Sequence, residues 1–226
     1  MKKIKIGQYA KLLVAVLAMA FVAGACDDNN DRPTYNDELV GTVWYCVAPW
    51  TWGEGIAIVA KATNNTFFTY HDYRDDGTCY IGQANYWYYK PEVLLHMPED
   101  LLKPYKTGVV SGSTLTVADE GKVFYEVDVV PEIVGTTWQG VETYSGATFR
   151  AHFTNGTQFT LMITSGTTTV NGGGTYTYNP PIINVTVTPL TPALQVYIDD
   201  PENIGVISGN KLHFFLHPIL LNKVTE

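Results

Sequence analysis

Glu38-Leu39-Val40-Gly41-Thr42-Val43-Trp44 returns 94 residues later as Glu132-Ile133-Val134-Gly135-Thr136-Thr137-Trp138. Three further blocks return in the same order. Thr63-Asn64-Asn65-Thr66-Phe67-Phe68-Thr69 is answered by Thr154-Asn155-Gly156-Thr157-Gln158-Phe159-Thr160. Trp87-Tyr88-Tyr89-Lys90-Pro91 is answered by Tyr176-Thr177-Tyr178-Asn179-Pro180. Gly108-Val109-Val110-Ser111-Gly112-Ser113-Thr114-Leu115 is answered by Gly205-Val206-Ile207-Ser208-Gly209-Asn210-Lys211-Leu212. The spacing drifts by a few residues between blocks, as loop insertions would cause. Repetition at this length is the signature of a duplicated folding unit, and it divides the chain into units over 38–130 and 131–226.

Each unit reads as short strands. Phe149, Ala151 and Phe153 alternate with Arg150 and His152. Phe159, Leu161 and Ile163 alternate with Gln158 and Thr160. Ile183, Val185 and Val187 alternate with Asn184 and Thr186, and Leu194, Val196 and Ile198 alternate with Gln195 and Tyr197. A period of two gives each strand one buried and one wet face. Turn signals stand at Asp76-Gly77, Asn155-Gly156, Gly172-Gly173-Gly174 and Ser208-Gly209-Asn210. Beyond residue 25 the one candidate helical turn is Pro98 to Lys103. Six to eight strands per unit, joined by short turns, make an antiparallel meander, and closing it removes exposed edges. The expected fold is all-β, two small meander barrels in tandem. A pair of open sandwiches, or one sheet shared by both units, is the alternative.

Residues 1–25 carry the pattern of a secretory signal. Lys2, Lys3, Lys5 and Lys11 precede an apolar run from Leu12 to Val22, too short for a comfortable membrane span. Ala23-Gly24-Ala25 abut Cys26 and resemble the lipobox of bacterial lipoproteins. That resemblance implies a diacylated Cys26 (with palmitate-class chains) as the mature N-terminus, and an outer-membrane anchor facing the periplasm or the surface. Asp27 to Pro33 is polar and acidic, so 26–37 reads as a flexible tether. The 226 residues have a formal charge of −8, and loss of 1–25 removes four more lysines. Such a balance argues against nucleic acid as partner.

The Val-Gly-Thr-x-Trp opening, the Thr-Asn-x-Thr-x-Phe-Thr strand, the Gly-Thr-Tyr-Thr-Tyr-Asn-Pro block and the closing Val-Ile-Ser-Gly-Asn-x-Leu strand resemble small lipocalin-like domains of Gram-negative lipoproteins. The resemblance covers nearly all of the second unit and, more loosely, the first. It implies a calycin-like barrel, often with a ligand at its mouth.

Catalytic motifs are absent: there is no Gly-x-Ser-x-Gly, no His-Glu-x-x-His and no Gly-x-x-x-x-Gly-Lys. The reading is a non-catalytic protein without a cofactor. His213 and His217, four residues apart on a strand, would be about 13 Å apart and cannot share an ion. His71, His96 and His152 are single residues in strand patterns, and all five histidines read as solvent-facing or satisfied. Asp72-Tyr73-Arg74-Asp75-Asp76-Gly77 has Arg where a calcium loop needs its third ligand, so it reads as a hairpin. Cys46 and Cys79 lie in strand-like segments, where a cross-strand disulfide and two separate thiols both stay open.

Trp44 and Trp138 recur at matching places and are assigned to the core. The asymmetric feature is aromatic. Trp50 and Trp52 stand in a Pro/Gly-rich loop, and Tyr80, Tyr86, Trp87, Tyr88 and Tyr89 form a second cluster in the first unit. Large rings bring contact area at little entropic penalty. Trp50, Trp52, Tyr86, Trp87, Tyr88 and Tyr89 are therefore the candidate site for a small ligand, a glycan or an envelope protein. The competing reading has Trp50 and Trp52 fold over the barrel mouth while the tyrosines line its wall. Because Phe153, Phe159 and Tyr178 fill space, a shallow mouth or outer-face site is expected over a deep cavity. The alternative function is a structural or interaction subunit of an envelope complex.

Overall fold

The computed structural model describes residues 37–47, 55–74, 76, 78–97, 105–118, 121–143, 145–198, 200–215 and 219–225. Cys26, Trp50, Trp52, His217, the signal segment and the Pro98–Lys103 turn lie outside them.

The chain forms two closed antiparallel barrels in tandem, each an eight-strand meander. The first contains β1 (Val43–Val47), β2 (Gly55–Ala62), β3 (Phe67–Arg74), β4 (Cys79–Tyr89), β5 (Glu92–His96), β6 (Tyr105–Ser111), β7 (Thr114–Val117) and β8 (Lys122–Glu126). The second contains β9 (Thr137–Val141), β10 (Thr148–Phe153), β11 (Gln158–Ser165), β12 (Thr168–Asn179), β13 (Ile182–Val187), β14 (Glu202–Ser208), β15 (Lys211–Phe214) and β16 (Leu220–Val224). Pairing of β1 with β8, and of β9 with β16, closes each sheet on itself. Neither barrel is left with a free edge.

The repeated sequence blocks build repeated local structure. Gly41 and Gly135 turn at φ 84 and 75, where a side chain would be strained. The next residue, Thr42 or Thr136, donates its hydroxyl to Leu39 O (2.5 Å) or Ile133 O. The same hydroxyl accepts the indole N–H of Trp44 or Trp138, at 2.8 Å in both. Each indole can therefore be buried without losing its hydrogen bond: Trp44 is 1% exposed and Trp138 0%. Further along, Asn64 and Asn155 fold their side chains onto the backbone two residues ahead, making the β2–β3 and β10–β11 turns. The carbonyls of these two residues accept Tyr86 and Tyr176 hydroxyls at 2.7 and 2.6 Å.

Two expected elements are corrected. Gly172-Gly173-Gly174 is not a turn but the middle of β12. A Cβ at Gly174 would lie 1.9 Å from Thr186 O and one at Gly173 2.6 Å from Phe159 O. These glycines let neighbouring backbones approach closely. The second correction concerns Leu194 to Ile198, which is not a strand. Pro192–Gln195 is a helical turn (α1), capped by Thr191 with Pro192 at its start. Leu194 and Ile198 are both buried, and four residues is a multiple of two as well as one helical turn, so the two periods coincide there. Leu194 drops onto the bare backbone of Gly172, 2.7 Å from where a Cβ would be, and plugs the second barrel.

The barrels meet along outward-facing side chains. Tyr45, Ala57, Val59 and Tyr73 of the first pack with Val206 and Phe215 of the second. Asp128, in the connecting segment, accepts from Gly209 N at 2.8 Å and donates its own N–H to Ser208 Oγ at 2.9 Å.

Candidate functional site

Alternation along β1–β8 sends one residue in two into the first barrel. These inward residues surround a cavity of about 340 Å³, within the range of small-molecule sites. The expectation of a shallow site counted Phe153, Phe159 and Tyr178, all of the second unit, whereas these are residues of the first. The strand registers make Ala62 the counterpart of Phe153 and Ile58 that of Phe149. Of these, Ile58 lines the cavity, a smaller side chain than Phe149 at the equivalent place.

The cavity has two chemically different ends, set by the meander. Trp44, Phe68 and Leu115 lie near the ends of β1, β3 and β7 that face Leu39. Together with Ala84 and Phe124, these side chains make its apolar half. Asp72 and Arg74 stand at the end of β3, Tyr80 at the start of β4, Lys106 at the start of β6 and Lys122 at the start of β8. Consecutive antiparallel strands bring all five to the opposite rim.

Charge at this rim is partly desolvated. Lys106 is 8% exposed. Arg74 Nε lies 4.0 Å from Asp72 Oδ2, while Asp72 Oδ1 is buried without a hydrogen-bond partner. Burial raises the Asp72 pKa above the usual carboxylate range, and the positive charges of Arg74 and Lys122 oppose that rise. Beside the rim, burial pushes the Cys46 thiol up, again opposed by Lys122. Tyr70 lies flat over Gly82, where a Cβ would come within 2.5 Å of its ring.

The second barrel supplies an internal comparison. Its positions equivalent to Asp72, Arg74, Lys106 and Lys122 are Ile163, Ser165, Asn203 and Ile219. Ile163 is 0% exposed and Ile219 7%, both within one continuous apolar cluster. The same scaffold thus folds around isoleucine where the first barrel carries ionisable groups.

The aromatic residues singled out in the sequence separate. Tyr86 and Tyr88 belong to the core of the first barrel. Trp87 is half-buried on the outer wall, facing Leu94 across the β4–β5 ladder, and Tyr89 is exposed beside it. None of these four lines the cavity, and Trp50 and Trp52 fall outside the described residues. Tyr80, from the same cluster, does line it. Asp72, Arg74, Lys106 and Lys122 were not recognised as a group, because they come from three strands, β3, β6 and β8, that only closure of the barrel unites.

The remaining polar candidates resolve individually. Cys46 and Cys79 are free thiols, so no bridge links them. Two strands separate β1 from β4, and Cys46 points into the barrel while Cys79 is exposed, beyond what a disulfide can span. Asp76 caps its hairpin by accepting from Thr78 N at 2.9 Å and Thr78 Oγ1 at 2.6 Å, which holds its carboxyl below the ordinary range. His152 bonds Thr137 at 2.9 Å and His96 stacks on Tyr105 at 4.7 Å. His213 departs from expectation: its Nδ1 is buried between the barrels without a partner. Among the described residues no group of three His, Cys, Asp or Glu is placed to hold a metal ion.

No protein-family model matches the chain. No curated protein matches it either. Among solved structures, it is similar to the DNA polymerase III beta subunit from Thermotoga maritima at 8% identity, over 83% of this chain and 57% of that one, with a TM-score of 0.14. A likeness at that level carries no argument about fold or function.

Proposed function

We propose that this protein is a lipid-anchored, non-catalytic binding module of the cell envelope whose first barrel takes a small, largely apolar ligand into its interior. The observation that carries the reading is the cavity of about 340 Å³ in the first barrel. Space of that size holds about eleven water volumes at roughly 30 Å³ each, and most of its wall is apolar. Anchoring through Cys26 at the outer membrane follows from the lipobox-like sequence.

The test is a titration of the mature chain with a neutral apolar dye such as Nile red. Dye emission should rise on binding, and Trp44, in the cavity wall, should change its fluorescence. Ala60→Leu, which projects into the cavity, should abolish the response, and Tyr89→Ala on the outer wall should leave it intact. Binding that survives Ala60→Leu and disappears with Tyr89→Ala would move the site to the outer aromatic surface. Replacing Cys26 by Ser should release the protein from membranes, read by fractionation and by the mass of the mature N-terminus.

A second reading rests on that outer wall. Tyr89 (58% exposed), Tyr105 (57%), Val109 (44%) and Leu94 (36%) share the β4–β6 face with Trp87. Such a face suits docking to an envelope protein. Photo-crosslinking from position 89 in intact cells that finds no steady neighbour argues against it.

A further inference from the structure

The strand that crosses the cavity sets its depth. Phe68, Tyr70, Asp72 and Arg74 alternate along β3, and all four line the same space. Six steps of extended chain span about 20 Å. A barrel strand tilts by about 40°, so the cavity runs roughly 15 Å along the axis. Its inner end offers a ligand only carbon. Phe68, Ala84 and Leu115 are buried there, and the indole N–H of Trp44 is already held by Thr42 Oγ1 at 2.8 Å. The outer end meets water: the Arg74 side chain is 50% exposed and that of Asp72 22%. A ligand therefore enters with its apolar end leading and keeps any polar group at the rim, because a buried polar group without a partner is penalised.

Depth and volume together fix the width. A volume of about 340 Å³ holds about eleven methylenes, each taken as roughly the 30 Å³ share of a water. An extended alkyl chain advances about 1.3 Å per carbon, from zigzag C–C bonds of about 1.5 Å, so a depth of roughly 15 Å takes about twelve carbons. The two counts agree only if the space is one chain wide; a branched or fused-ring body of equal volume is too short and too broad. We propose that the first barrel takes one unbranched alkyl chain of about ten to twelve carbons, inserted methyl end first onto Trp44, Phe68 and Leu115. This inference rests on the reading of the first barrel as a ligand-binding module and names the shape of its ligand. A longer chain has no further room, because that end of the barrel is closed by the packed side chains of Leu39, Tyr86 and Val93.

Displacement of Nile red from the mature chain by alkyl dimethylamine oxides, below their micelle concentrations, tests this directly. Their head carries no net charge, so chain length is the one variable. Affinity should rise about fourfold per carbon from the hexyl compound, then level off at about ten to twelve carbons. The decyl compound should bind at least about tenfold tighter than its adamantyl counterpart, which has the same number of carbons in a compact cage. Ala84→Leu narrows the inner end and should lower the plateau by about three carbons while leaving the hexyl compound nearly unchanged. Phe68→Leu opens that end and should raise the plateau. The series with the unaltered protein keeps the proposal open to test if either variant fails to fold.

Equal binding of the decyl and adamantyl compounds overturns the single chain and leaves the cavity reading standing. So does affinity that keeps rising through sixteen carbons, or Nile red binding that no amine oxide displaces. A plateau that stays put in both folded variants overturns the placement of the chain end on this floor. Failure of every amine oxide, together with Nile red, overturns both readings.

Discussion

Asp72 occupies an uncommon position for a carboxylate: inside a barrel, one oxygen without a partner, its charge opposed by burial and only partly compensated by Arg74 and Lys122. A carboxyl whose folded pKa is raised destabilises the fold once ionised. Its favourable contribution is complete below the unfolded pKa, about 3.9, and is lost as pH rises through the folded value. Asp72→Asn should therefore melt above the parent at pH 7 and lose that margin as pH falls toward 4, followed by circular dichroism. Trp138 is the opposite case, a fully buried ring with its N–H bonded to Thr136. Trp138→Ala should reduce stability by about 3–5 kcal/mol in denaturant titrations; a parent-like midpoint would remove Trp138 from the core. Both tryptophans were legible as core residues because each follows the same Gly-Thr-x pattern. The Asp72 environment was not, since nothing in Phe67–Arg74 tells which neighbours closure will bring.

At the level of elements, each barrel needs something to fill the bare surface that its strand glycines create. In the first, Tyr70 lies on Gly82; in the second, Leu194 of α1 lies on Gly172. Leu194→Ala should cost about 2–5 kcal/mol, with loss concentrated in slow-exchanging amides of β11 and β12. Retained protection there would mean that α1 is dispensable. Strand existence was readable from two-residue alternation in β10, β11 and β13, and the Asn155-Gly156 and Ser208-Gly209 turns fell where expected. The alternation misread Leu194–Ile198 because a short capped turn with buried residues four apart mimics a strand. It misread Gly172–Gly174 because glycine marks close backbone contact as readily as a turn. The cavity escaped notice for a related reason: small residues such as Ala60 and Ala84 announce space only when their partners across the barrel are known.

For the whole molecule, the contact between barrels adds a pH sensitivity that neither barrel has alone. His213 points from β15 toward the first barrel, with its ring 5.9 Å from that of Tyr45. Burial, and then the charge of Lys211, lower its pKa. The unfolded chain takes up this proton first, so the stabilisation is complete above about pH 6.5 and declines as pH falls through that value toward the folded pKa. The unfolding midpoint should drop on acidification from pH 7.5 to 5, and His213→Phe should flatten that dependence. An unchanged slope in the variant would place the sensitivity elsewhere. The tandem arrangement was plain from the repeated blocks, whereas the packing of Tyr73 on Phe215 was not, because outward apolar residues do not name the surface they will meet. Duplication has a practical consequence in the two indoles. Trp44 and Trp138 share donor geometry, flanking turn and depth, yet Trp44 lines the cavity of the first barrel while Trp138 lies in the apolar cluster of the second. In versions of the protein retaining one or the other, they form a matched pair of optical reporters: a signal from the first without the second would mark occupancy, and a signal common to both would mark a change in the solvent or the scaffold.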